Sequence, residues 1–305
     1  MSGAPVLAFD VGGTHLRSVL VGADGAISNR NQRRTPNGSA SALVEALAEA
    51  GKEQFAEARR RHGAAPHAAG LAIAGFTDTG RGLVHQAPNL GLHEALIGPP
   101  LADALGLPVR LVNDVNAAAV AEAHAFGVRD LVAIFIGTGV GGGFVCGGAL
   151  VEGQHGMAGE IGHALWRPGA GPRCGAGHDG CFEAFLGGAR LAVRARDAGL
   201  PADARALFRA ARAGQPAARA LVDDALSAMA ALCRLLVTLL DPEVISVAGG
   251  VGLGEPEILQ AGRAACDPHP LDADIGAVRV ERAATREDAG LLGAALLARS
   301  ASEAP

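Results

Sequence analysis

The stretches VLAFDVGGTHLRSVLV (6–21) and LVAIFIGTGVGGGFVCGGALV (131–151) decide the fold. Each is an apolar run that enters a glycine-rich turn and returns as a second apolar run. That is the pattern of a strand, a tight loop and a returning strand. Glycines in such a turn admit positive φ and let backbone amides come close to a phosphate. Asp10, at the end of the first run, can hold a metal ion or a water, and Thr14 adds a hydroxyl donor. An Asp in an ordinary hairpin turn is the plainer alternative. The second loop meets the G-x-G-x-x-G spacing at Gly137, Gly139 and Gly142. A dinucleotide site needs a helix after that loop, and Phe144 to Val151 reads as strand and turn instead. No Lys follows either loop, so the G-x-x-x-x-G-K-[ST] phosphate loop is absent too.

Two occurrences of one pattern imply two similar α/β halves, and 305 residues suffice for two modest domains. Residues 131–151 carry no charge and have the length of a membrane span. Seven glycines interrupt them, however, which suits strands and loops better than a bilayer helix. The N-terminal residues show no secretory signal, so a cytoplasmic protein is expected. A net charge of −5 speaks against a general binder of nucleic acid or of anionic membranes. Cys146, Cys174, Cys181, Cys233 and Cys266 are odd in number, which suggests reduced thiols, with Cys174 and Cys181 as candidate metal ligands.

Elsewhere the periodicity predicts a helix over 41–61 closed by Gly63, and strands over 70–74, 109–112 and 244–247. It also predicts an Ala-rich helix over 117–126, a long helix over 217–240 stopped by Asp241-Pro242, and a last helix over 288–299. The Gly- and Pro-rich run 167–180 reads as loop.

Asn113-Asp114 follows a strand and precedes a helix. Both residue types are favoured helix caps, so alone the pair reads as a cap. Beside two phosphate-type loops it gains a second meaning. Phosphoryl transfer needs a carboxylate to take the proton of the acceptor hydroxyl. The runs FDVGGTHLR (9–17), VNDVNAAAVAEA (112–123), IGTGVGGGFVCGGALVEGQHGMAGEIGHA (136–164) and CGAGHDGCFEAFLGG (174–188) resemble the successive signatures of the ROK family of sugar kinases and sugar-responsive repressors. SVAGGVG (246–252) is similar to that family's adenosine-side turn.

The resemblance implies a two-domain α/β fold of the actin-like ATPase (ribonuclease H-like) type with a deep interdomain cleft. The smaller domain would hold residues 1–116 and the final helix, 288–305; the larger would hold 117–287. The implied reaction is ATP-dependent phosphorylation of a hexose. Glucose to glucose 6-phosphate is the first choice, with fructose, mannose or an N-acetylhexosamine as alternatives. Asp114 would be the catalytic base. Asn89, Asn113, Glu160, His163 and Glu183 would join it in contacting the sugar, while Asn116 would serve as helix cap or structural partner. ATP and Mg2+ would be held by Asp10, Gly12, Gly13, Thr14, Gly137, Thr138, Gly139, Gly141, Gly249 and Gly250. Zinc in this family takes one His and three Cys. Here Ala176 stands where the middle Cys belongs, leaving His163, Cys174 and Cys181, with His178, Asp179 or a water to complete the set. Family members commonly form homodimers. A non-enzymatic sugar-sensing repressor is the alternative from the same family. The first strand begins at Val6 and leaves no room for a helix-turn-helix before it, and the acidic charge points the same way, so a kinase is expected.

Overall fold

The computed structural model describes residues 4–169 and 171–303. The chain divides into two compact units. One comprises Met1–His124, Glu152–Ala158 and Thr285–Pro305; the other comprises Ala125–Val151 and Gly159–Ala284. The expected division at 116/117 would cut a helix near its start, whereas the units part near that helix's end.

In the first unit, β1 (Val6–Val11), β2 (His15–Val21) and β3 (Ile27–Arg34) form an antiparallel meander. Helix α1 (Ala40–His62) starts where the Ser39 side chain accepts a bond from Ala42 N–H, and it ends at Gly63 in the left-handed conformation. β4 (Ala69–Ile73) lies parallel to β1. A small antiparallel sheet of β5 (Phe76–Asp78), β6 (Leu83–Ala87) and β7 (Leu92–Leu96) follows, then α2 (Gly98–Leu105). β8 (Val109–Asn113) joins β4 in parallel and runs directly into α3 (Asp114–Phe126). The main sheet has the order β3-β2-β1-β4-β8. Strand alternation sends Leu7, Phe9 and Val11 into a core shared with Leu43 and Leu47 of α1. Val6 and Ala8 point the other way, into a second cluster.

In the second unit, β9 (Leu131–Ile136), β10 (Val140–Cys146) and β11 (Ala149–Leu150) form the antiparallel part of the sheet. Helices α4 (Phe182–Leu186), α5 (Gly188–Asp197), α6 (Ala204–Arg212) and α7 (Pro216–Leu240) follow. β12 (Val244–Ala248) then pairs in parallel with β9 and leads into α8 (Gly250–Gly254) and α9 (Pro256–Cys266), and β13 (Arg279–Arg282) closes the sheet. Its order, β11-β10-β9-β12-β13, repeats that of the first unit, hairpin and parallel strands alike. The membrane-length stretch 131–151 is three strands and their turns, and no helix among the described residues is long and apolar enough to cross a membrane.

The C-terminal helix α10 (Ala289–Glu303) belongs to the first unit and supplies Leu291, Ala295 and Ala298 to the cluster that receives Val6 and Ala8. It approaches the sheet closely. The backbone of Ala294 occupies the space a side chain at Gly70 would need, and the backbone of Ala117 does the same at Gly293. Small residues on α10 are therefore a packing requirement.

Candidate active site

Parallel strands gather loops at their carboxyl ends, where α/β sheets place their ligands. In the first unit, Val11, Ile73 and Asn113 are in register across β1, β4 and β8, so Asp10 and Asp114 share one sheet edge. Asp10 pairs with the Arg17 guanidinium through Oδ2, while its Oδ1 faces the backbone of Gly290. Gly12, Gly13 and Thr14 form the turn between β1 and β2, with Gly12 N–H bonded to His15 O at 3.0 Å. Asn89, exposed in a short helical turn, packs on Gly13.

Asn113 is the helix cap. Its Oδ1 accepts from Val115 N–H at 2.9 Å and Asn116 N–H at 3.0 Å, and its Nδ2 donates to Gly75 O at 2.9 Å. Asn116, expected as cap or structural partner, is not the cap; it is buried in the first turn, with no partner for Oδ1 among the described residues. Asn113 keeps one amide N–H for a ligand. Asp114 accepts from Val115 N–H at 3.0 Å. Burial, and then the charge of Asp10, push its carboxyl up to about 6.

In the second unit the turn from β9 to β10 is confined to Gly137, Thr138 and Gly139, closed by Gly137 N–H to Gly139 O at 3.0 Å. Gly141, expected in the loop, lies within β10 opposite Phe135. The turn is anchored from behind: Gly188 N–H donates to Gly137 O and Ala189 N–H to Thr138 O. Glu183 clasps it as well, accepting from Val140 N–H at 3.2 Å and, on its other oxygen, from Gly175 N–H at 3.0 Å. Both Glu183 oxygens thus serve the loops, which its motif did not reveal. At the end of β12, Gly249 sits at φ +86° with the Ile136 backbone where a side chain would be, so only glycine fits. Gly137, Thr138, Gly250 and Val251 border a cavity of about 660 Å³.

Glu160 precedes, and His163 ends, a short 3₁₀ turn (Ile161–His163). His163 Nδ1 lies 3.8 Å from Cys174 Sγ, and the His163 and His178 rings meet edge-on at 5.3 Å. The ligand atoms of His163, Cys174 and His178 all lie within 4.8 Å of one another. Two imidazoles and a thiol are a zinc-type donor set. Cys181 is not of this cluster; it is buried beside Cys174, and burial pushes its thiol up to about 11. Asp179 is engaged elsewhere, with Arg173 at 2.8 Å, so of the two side chains expected to replace the missing Cys only His178 lies in the cluster.

The sequence profile of the ROK family matches residues 6–301. The chain belongs to the ROK family. It is 39% identical over 300 residues to an N-acetylmannosamine kinase of Salmonella typhi, covering 96% of this chain and 98% of that one. A ROK hexokinase from Thermus thermophilus superposes with a TM-score of 0.84 at 35% identity, over 98% of this chain and 99% of the other. A ROK family glucokinase from Streptomyces griseus, solved with glucose and AMPPNP, gives 0.73 at 30% identity over 97% and 99%. The chain is thus a ROK sugar kinase with the actin-like ATPase fold, and the two sheets of equal order are its repeated halves.

Proposed function

We propose that this chain transfers the γ-phosphoryl group of ATP to the primary hydroxyl of a hexose, with N-acetylmannosamine as first substrate. The observation that carries the reaction is Asp114, a carboxylate at the sheet's carboxyl edge whose pKa of about 6 lies close to working pH. It takes the proton of the sugar hydroxyl as that oxygen bonds to the γ-phosphorus, while the bond to the β-phosphate oxygen breaks and ADP leaves. The Gly137 amide closes the turn, so the amides of Thr138 and Gly139 and the Thr138 hydroxyl are the groups that hold phosphate. Magnesium, when bound, neutralises phosphate charge; Asp10, with Oδ1 clear of Arg17, is the residue that would hold it. Asn89, the free N–H of Asn113, Glu160 and His163 supply polar groups suited to vicinal hydroxyls.

The substrate choice rests on the 39% identity to an N-acetylmannosamine kinase across nearly the whole chain. Glucose is the second reading, supported by the hexokinase and glucokinase likenesses. Coupled ADP-release assays over N-acetylmannosamine, glucose, mannose, fructose and N-acetylglucosamine test both. A higher kcat/KM for glucose reverses the order, and no ADP release with any sugar removes the kinase.

His163, Cys174 and His178 would hold zinc, which when bound would stiffen the 174–181 loop that carries Gly175 against Glu183. Three ligands bind less tightly than four. Zinc retention, measured by elemental analysis, is expected to fall in His178→Ala and to recover when Ala176→Cys is added. Retention unchanged in His178→Ala counts against the assignment.

A further inference from the structure

Helix α6 carries three arginines, and they divide sharply. Arg212 is committed to structure, bound by Glu255 and by Glu257. Arg205 and Arg209 are exposed and, among the described residues, make no side-chain hydrogen bond or ion pair. Four residues apart, they stand on one face of the helix, where like charges repel. That face borders the 660 Å³ cavity whose other side is the Gly137–Thr138 turn and the Gly250–Val251 turn. The volume suits a nucleotide.

The rest of the lining lacks what a base ordinarily meets. No aromatic ring, side-chain amide or His borders the cavity among the described residues. Each of its two carboxylates already has a structural partner. Asp203 accepts from Ala206 N–H at 2.7 Å to cap α6, and Glu255 is buried against Arg212. Apart from the Thr138 hydroxyl, already assigned to phosphate, the side chains that remain are two planar guanidinium groups, which stack on π faces, and the apolar Ala204 and Val251.

We infer that Arg205 and Arg209 hold the phosphoryl donor by stacking on its base, and that the base is therefore read loosely. This rests on the proposal that the chain uses ATP. A site built on hydrogen bonds rejects the wrong partner by several orders of magnitude, whereas a stacking site does not. ATP and GTP are expected to bind within about tenfold of each other.

The test is direct binding by titration calorimetry, which needs no catalysis. Wild type is compared with Arg205→Ala/Arg209→Ala, both on an exposed helix face where alanine is well tolerated. The expected result is a rise in Kd for ATP on the order of tenfold. Inorganic tripolyphosphate, which has charge but no base, is expected to bind both proteins alike. An unchanged Kd for ATP in the double variant overturns the inference. So does an equal weakening of ATP and tripolyphosphate, which would make the arginines readers of phosphate charge. So does a Kd for GTP more than about a hundredfold above that for ATP in wild type, well outside loose reading. Wild type that binds no ATP at all would instead remove the kinase reading itself.

Discussion

Asp114 meets two opposed demands. A base must be ionised at working pH, yet this carboxyl is partly buried and faces the charge of Asp10, and both favour the neutral form. Raised to about 6, it is half ionised there, so kcat/KM is expected to climb with pH through about 6 and to fall about tenfold per unit below it. The sign for stability is the reverse. A folded pKa above the ordinary 3.8 stabilises the fold at low pH, and that contribution is lost as pH rises through about 6. Asp114→Asn keeps the acceptor for Val115 N–H and removes the charge. Its kcat is expected to drop 10²–10⁴-fold, on the order typical of a lost general base. Its unfolding free energy at pH 8 is expected to rise by up to about 3 kcal/mol. Steady-state kinetics and denaturant unfolding read the two effects separately. A variant keeping more than about a third of wild-type kcat would clear Asp114 of the role.

At the scale of elements, close packing decides what the sequence conceals. Gly293 of α10 lies against the Ala117 backbone, and Gly70 of β4 lies against Ala294. Gly293→Val is expected to force these helices apart and lower stability by about 1–3 kcal/mol or more, the usual range for overpacking. A denaturant midpoint equal to wild type's would contradict this. Hairpins and long helices were legible because their apolar periods are strong: the strand-turn-strand runs at 6–21 and 131–146 and the helix expected over 217–240 all form, with the second hairpin's returning strand starting earlier than its pattern suggests. β3 was not legible. Its sequence, ISNRNQRR, is polar after Ile27, because it is an edge strand with no fully buried residue. Gly141 misled because glycines mask alternation, and β10 runs through three of them. The cap went to Asn113 rather than Asn116 because α3 begins three residues ahead of its alanine run. Glu183 was found by its motif, but its grip on two loops is a tertiary fact with no local signature.

The whole molecule is two units of roughly 150 residues, each with its own core. The candidate base and the cavity proposed for the nucleotide fall in different units, with the cavity lined by second-unit residues alone. A ligand stabilises what holds it by mass action, about 2.7 kcal/mol at a hundred times Kd. For a unit of this size each kcal/mol shifts Tm by about 2–4 °C. A non-hydrolysable ATP analogue is therefore expected to raise the unfolding temperature of the second unit by about 5–10 °C. Hydrogen exchange locates the effect. Core amides of β9 and β12 are buried and exchange only when their unit opens, so they are expected to slow on the order of a hundredfold. The buried amides of β1 and β4 report on the first unit in the same experiment. If they slow equally, the chain unfolds as one cooperative body. If they keep their rates while β9 and β12 slow, the units open independently and the nucleotide belongs to the second. No slowing in β9 or β12 at saturating analogue would take the nucleotide out of this cavity, and the donor assignments of Gly137, Thr138, Gly249 and Gly250 would fall with it.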